Sequence, residues 1–204
     1  MDFVIHKDWF AQFVDGYEER TIRGEIYPDS TKSRYTNMDN YMNIRADVDS
    51  GIRKGDMLVD PNGVIYLLNW EVALQSNNAP SRALRCNMHL TVYRHQEEVV
   101  DEYGFEIEPE QDVVLVDRLP ANAYRYDGRP EYTAVSGTPG MTPDALTIVS
   151  IQYNDKTKII KENDKFIWAN EEYMVVDINY TDINEMNNSG VMIIQAKKAP
   201  GGIL

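Results

Sequence analysis

Apolar and polar positions alternate along most of this chain with a period of two, the pattern of half-buried β-strands. Thr21–Tyr27 and Tyr41–Val48 alternate in this way, and Asp56–Asp60, Val64–Val72 and Ala83–Tyr93 follow as further strands. Later in the chain Leu146–Tyr153, Lys165–Trp168, Glu172–Tyr180 and Val191–Lys197 return to the same plan. Turn residues punctuate them at Asp49-Ser50-Gly51, Asn154-Asp155 and Asn187–Gly190. Pro61-Asn62-Gly63 predicts a hairpin, because Asn-Gly tolerates the positive φ of a tight turn. One stretch has a different period. Trp9, Phe10, Phe13, Val14 and Tyr17 draw an apolar stripe at helical spacing, with Gly16 near its end. This predicts a short N-terminal helix over residues 8–17 that covers a core or an open sheet end, or else serves a subunit interface.

The strand plan contains a sentence written twice. Ile52-Arg53-Lys54-Gly55-Asp56 and the strand after it align with Ile160-Lys161-Glu162-Asn163-Asp164 and its successor, and with one deletion Asn62 falls on Asn170 and Tyr66 on Tyr173. Gly55-Asp56 and Asn163-Asp164 supply turn chemistry just ahead of a strand. Tyr66 and Tyr173 stand where a large amphipathic side chain can close a barrel and keep its hydroxyl paired. Four short strands per copy predict a small antiparallel barrel or sandwich. The expected fold is all-β: two related small antiparallel modules with a short N-terminal helix. Residues 1–118 would hold the helix, the first module and an acidic segment. The Pro/Gly-rich residues 119–143 would be a linker or long loop, and residues 144–204 the second module with an extended tail. Leu58, Val59, Ile65, Leu67, Leu90, Phe166, Ile167, Met174, Val176 and Ile193 are expected in the cores or the seam, with alternation sending adjacent ones to opposite faces.

Composition narrows the function. The chain has 204 residues, 43% of them hydrophobic, and thirteen Tyr against five Phe, which suits pleated, half-buried surfaces. A net charge of −13 argues against a free-standing nucleic-acid binder. Nine of its carboxylates lie in Glu97–Asp117, and no Lys or Arg falls between Arg94 and Arg118. The single Cys86 permits no internal disulfide and fits a reducing compartment. No apolar run approaches membrane-spanning length, and the N-terminus lacks a signal-peptide pattern, so an intracellular soluble protein is expected.

Candidate chemistry is sparse. Cys86, His89 and His95 are close in sequence, but on a strand Cys86 and His89 face opposite ways and His95 lies about 20 Å from His89. They do not make one tetrahedral site. No Gly-x-Ser-x-Gly and no Ser or Cys with a partnered His and acid occurs. The acidic stretch does not follow the EF-hand spacing and reads as a solvated face. Gly137–Thr142 lacks the Lys of a phosphate loop. Arg82, Arg85 and Lys197-Lys198 are the densest basic points, and Tyr124-Arg125-Tyr126 beside Arg129 reads as loop packing. No catalytic residue, metal ligand or cofactor-binding residue is assigned, and no enzymatic activity and no cofactor are expected.

Ile52–Leu58, Gly63–Leu68 and Leu84–Leu90, with its Cys86-Asn87, resemble segments of minor structural proteins of tailed bacteriophages. The second half is similar in Asn163–Trp168, Glu172–Ile178 and Gly190–Ile194. Over residues 40–94 and 144–198 the chain resembles the head–tail connector and head-closure proteins, small β-barrel subunits of the virion neck. The resemblance implies a non-enzymatic structural protein forming a homo-oligomeric ring that joins portal and capsid to tail. It implies as partners other copies of itself and portal, adaptor and tail proteins. Double-stranded DNA would only pass through a channel, without sequence-specific binding, and no membrane would be involved. The expected place is the virion neck, and the host cytoplasm before assembly. An acidic face toward a lumen would repel phosphates. A tail-completion or baseplate protein, or a soluble β-barrel binding module, are the alternatives.

Overall fold

The computed structural model describes residues 1–28, 40–46, 50–70, 81–100, 103, 106–125 and 146–199. Alternating burial makes the strands curl around two separate apolar centres. The first barrel consists of β1 (Asp2–His6), β2 (Arg20–Pro28), β3 (Tyr41–Ala46), β4 (Met57–Val59), β5 (Ile65–Trp70) and β6 (Ser81–Arg85). Its order is β1-β2-β3-β6-β5-β4, closed by β1 against β4. Phe3, Ile5, Ile22, Ile44, Leu58, Tyr66, Leu68 and Ala83 fill it.

The second barrel begins at β7 (Met88–Gln96), followed by the two-residue β8 (Val99–Val100), β9 (Glu106–Glu108) and the long β10 (Gln111–Arg125). Next come β11 (Leu146–Gln152), β12 (Lys165–Trp168), β13 (Glu171–Asn179), β14 (Ile183–Asn184) and β15 (Ser189–Lys198). The wall runs β7-β10-β11-β15-β13-β12 and closes by β12 against β7. Leu90, Val92, Val116, Leu119, Phe166, Tyr173, Val175, Met192 and Ile194 are buried inside. Strand for strand, this order is that of the first barrel. The duplicated sentence is the trace of a duplicated fold, and each copy has six antiparallel strands rather than four. Closure leaves neither wall a free edge along its paired length.

The all-β class stands as expected, with the helix reduced. Residues 8–17 form only a five-residue 3-10 helix, Trp9–Phe13, capped by Asp8, whose side chain accepts from the Phe10 amide. Phe10 is buried, while Phe13 is 72% exposed. The stripe thus serves one anchor rather than a full helical face. Strand β1 went unread because its five residues abut that stripe.

Three boundaries differ from expectation. Ala83–Tyr93 is not one strand but β6 and β7, which belong to different barrels. The crossing is the peptide Cys86-Asn87: the Cys86 amide bonds to Ile65 O in the first wall, and the Asn87 amide to Ala121 O in the second. Asn87 fixes the step by donating to Ala123 O at 2.7 Å and accepting from Ala123 N at 2.8 Å. The start of the expected linker 119–143 is β10, where Leu119, Ala121 and Ala123 are buried. Pro120 is tolerated there because it follows bulges at Val114–Val116 and Val116–Leu119, with Arg118 at φ 50°. Residues 126–143 lie outside the described residues. The acidic segment therefore belongs to the second module, which starts at Met88.

Of the expected core, Leu58, Leu67, Leu90 and Phe166 are fully buried, and Val59, Ile65, Met174, Val176 and Ile193 are half-buried. Ile167 is 45% exposed, since alternation turns it away from Phe166.

Candidate functional site

The repeated turn is built alike in both copies. Gly55 at φ 91° and Asn163 at φ 72° reverse the chain in the left-handed region, which Gly and Asn tolerate. The next residues, Asp56 and Asp164, are buried. Asp56 Oδ2 accepts from the Arg53 amide at 2.6 Å, and Asp164 Oδ2 from the Lys161 amide at 2.7 Å. A cation from the neighbouring strand meets each carboxylate. Lys7 donates to Asp56, and the Arg94 guanidinium grips Asp164 at 2.7 and 2.9 Å. Burial raises the Asp56 pKa above its ordinary value, against the lowering pull of Lys7. The two tyrosines keep their hydroxyls paired: Tyr66 donates to Asp60 at 3.3 Å and Tyr173 to Glu171 at 3.1 Å. These carboxylates are engaged as turn rivets, which is structural chemistry.

Only the first turn faces the other barrel. A Cβ on Gly55 would lie 2.4 Å from Gly190 O, so the two backbones touch where the barrels meet. Met57 and Leu67, cross-strand partners on the outer wall of the first barrel, join the second core instead of their own. Gln152, almost fully buried, straps the joint. Its Nε2 donates to Gly55 O at 2.8 Å and lies 3.2 Å from Lys7 O and 3.3 Å from His6 O. Its Oε1 accepts from the Trp9 amide at 2.7 Å and from Asn154 Nδ2 at 3.3 Å. Asn154 Nδ2 also reaches Asp8 Oδ1 at 3.0 Å, and Lys156 sits over the Phe10 ring at 4.5 Å. Beside the strap His6 packs edge-on to Trp9 and stacks on Tyr17, whose hydroxyl is 3.2 Å from Nδ1. Burial lowers the His6 pKa, with Glu19 opposing, and raises that of Tyr17.

The seam opens into a polar cleft of about 440 Å³ lined by Arg53, Lys54, Asp182, Asn184, Asn187 and Ser189. Lys54 is paired with Asp182 across it. Gln152, His6, Lys7 and Arg94 were missed in the sequence. A lone Gln or Lys carries no motif, and only the fold brings its partners from 49 to 146 residues away.

The residues flagged in the sequence are not brought together. Cys86 packs against the second core, and burial pushes its thiol up to about 12. His89 is exposed, and the His95 ring lies between Glu110 at 3.2 Å and Asp112 at 3.0 Å. Among the described residues no group of three or more His, Cys, Asp or Glu is placed to hold a metal ion, and no helix is long and apolar enough to cross a membrane. Arg85 and Lys197 are exposed, Lys198 pairs with Glu171 at 2.8 Å, and Arg125 approaches the same carboxylate at 3.6 Å. Tyr126, Arg129, Gly137–Thr142 and the loop 75–80 lie outside the described residues.

The acidic segment forms a two-stranded ribbon. Gln111 pairs with Gln96, and Glu108 with Val99 in the same register, so β8 and β9 continue the β7–β10 ladder. β10 meets β11 only over Asn122–Arg125, and β7 meets β12 only at Val92 and Tyr93. Beyond Arg94, whose guanidinium still grips Asp164, no strand outside the ribbon pairs with it among the described residues.

Residues 134–197 match the YomX C-terminal domain family. That span takes in β11 to β15 up to Lys197, and so four of the six wall strands of the second barrel, with the second copy of the repeat. No curated protein matches the chain.

Proposed function

We propose that this chain is a non-enzymatic structural subunit of a phage virion, a neck protein of the head–tail connector that forms a homo-oligomeric ring through which DNA passes. The observation that carries the reading is the fusion of two closed barrels of one topology through a seam of buried Gln152, touching backbones at Gly55 and Gly190, and shared apolar side chains. Such a joint keeps two modules in one fixed orientation, which a subunit of a closed ring needs if heterologous contacts are to meet after a full turn. The resemblance of residues 40–94 and 144–198 to head-closure proteins and the phage-associated name of the matched family point the same way. Its partners would be further copies of itself above all, then portal, adaptor and tail proteins, with the virion neck as its location.

Negative-stain microscopy of the purified chain tests this, alone and with the portal or tail proteins encoded beside it. Rings with a central channel are expected. A chain that stays monomeric in every mixture and binds a small ligand tightly would overturn the reading. Labelling within particles separates the neck from the tail tip: label at the tail tip would reassign the chain to the baseplate.

A further inference from the structure

The duplication compares two loops that began as one. In the first barrel the β1–β2 connection is the element that docks: Asp8, Trp9 and Phe10 reach Asn154, Gln152 and the second core. In the second barrel the connection at the same topological position, β7 to β10, carries the acidic ribbon, and among the described residues it docks on no further barrel. We propose that this ribbon, through Val99–Val100, Glu106–Glu110 and the adjoining Val114, is the docking element that seizes the first barrel of a second copy. The inference rests on the ring reading above and specifies its contact.

Three observations support it. Among the described residues neither edge of the two-stranded ribbon pairs with another strand, and such a ribbon is marginal by itself in water, so it calls for a partner. Two of its apolar side chains point into solvent: Ile107 is 62% and Val114 57% exposed. Its charge selects the partner's surface. With nine carboxylates in Glu97–Asp117, two ribbons repel each other, which excludes a two-fold contact of ribbon on ribbon. The contact is therefore head to tail. Residues 1–86 carry 13 acidic and 10 basic residues, whereas residues 87–204 carry 20 and 10, so the first barrel is the less repulsive face. The exposed Arg45 on its outer wall, resting over the Tyr27 ring, suits a carboxylate, and Arg23 beside it lies 3.7 Å from Asp2.

The new contact does not copy the seam. The exposed Asn163 stands where Gly55 touches Gly190, and Lys165 stands where Met57 enters the neighbouring core. A second copy cannot approach that turn as closely, which leaves the ribbon as the reaching element and stops the barrels from stacking without end.

The test uses the full chain in analytical ultracentrifugation, with I107D/V114D and an Ile107→Cys variant carrying a benzophenone maleimide. Wild type is expected to self-associate. The double variant should sediment as a folded monomer, with a Tm unchanged because both side chains are exposed, and added salt should weaken wild-type association by screening the ribbon carboxylates from the basic side chains they meet. The photo-crosslink should map to residues 1–86 of another molecule. Oligomers that survive I107D/V114D, or crosslinks confined to residues 87–204, would overturn the ribbon contact and leave the ring reading intact. A wild type that never self-associates, with or without its neighbours, would overturn the ring reading itself.

Discussion

Replacing Gln152 by Ala removes the strap while leaving both barrel cores untouched. The Gly55 carbonyl and the Trp9 amide lose partners at 2.8 and 2.7 Å. A buried polar group left without a partner costs about 1–3 kcal/mol. Trp9 is only half-buried, so water restores part of its loss. A total of about 2–4 kcal/mol follows. For a chain of this size each kcal/mol lowers Tm by about 2–4 °C, so a fall of roughly 5–15 °C is expected in thermal unfolding followed by circular dichroism. Gln152→Glu sharpens the test. It keeps the acceptor but points a carboxyl at the carbonyls of His6, Lys7 and Gly55, which the amide now serves. Only the protonated acid can donate to them, so its pKa must rise in the folded state. The native variant then holds its proton more tightly than the unfolded chain, and stability falls as pH rises, by at most about 1.4 kcal/mol per pH unit. The variant should approach wild type near pH 4 and separate from it toward pH 8, a comparison made at matched pH. Gln152→Ala within about 0.5 kcal/mol of wild type, the range of inert surface changes, would refute the strap, as would a Gln152→Glu difference flat in pH.

Gly55→Ala should destabilise severely and Gly63→Ala only by about 1 kcal/mol, because both have positive φ but only Gly55 abuts backbone; equal urea midpoint shifts would contradict this. His6, whose pKa burial lowers, binds fewer protons when folded, so its contribution to stability is lost as pH falls below about 6.5; a His6→Gln variant should lose that pH dependence in thermal melts. Asp56, whose pKa burial raises, contributes stability that declines as pH climbs above its unfolded value, so Asp56→Asn should be least harmful, relative to wild type, at neutral pH and above, as urea titrations across pH 3–8 would show. The Cys86 thiol, pushed up to about 12, should react with a disulfide reagent at pH 8 far more slowly than after unfolding in urea.

Much of this architecture was written in local pattern. Alternation located β2–β5, β11–β13 and β15 near their observed bounds, because a strand with one buried face must alternate. The Asn62-Gly63 hairpin and the Gly55 and Asn163 turns were legible because positive φ restricts the residue choice. The paired hydroxyls of Tyr66 and Tyr173 follow from burying a phenol. Pattern failed where one continuous apolar run serves two cores. Leu84 and Leu90 look like one strand, yet the Cys86-Asn87 peptide passes from one wall to the next without a linker residue, so no Gly or Pro marks it. Proline misled in the other direction, since the bulges before Pro120 let β10 continue through it.

The sequence by itself thus determined the strands, the turns and their duplication, since these rest on periodicity and backbone conformation that each short segment carries within it. Tertiary structure alone decided which strands share a barrel, that Met57 and Leu67 serve the neighbour's core, that Gln152 straps the joint and that the acidic segment continues β7 and β10 as a ribbon. Those facts depend on partners up to 146 residues apart, and alternation records which residues leave water but not which surface receives them.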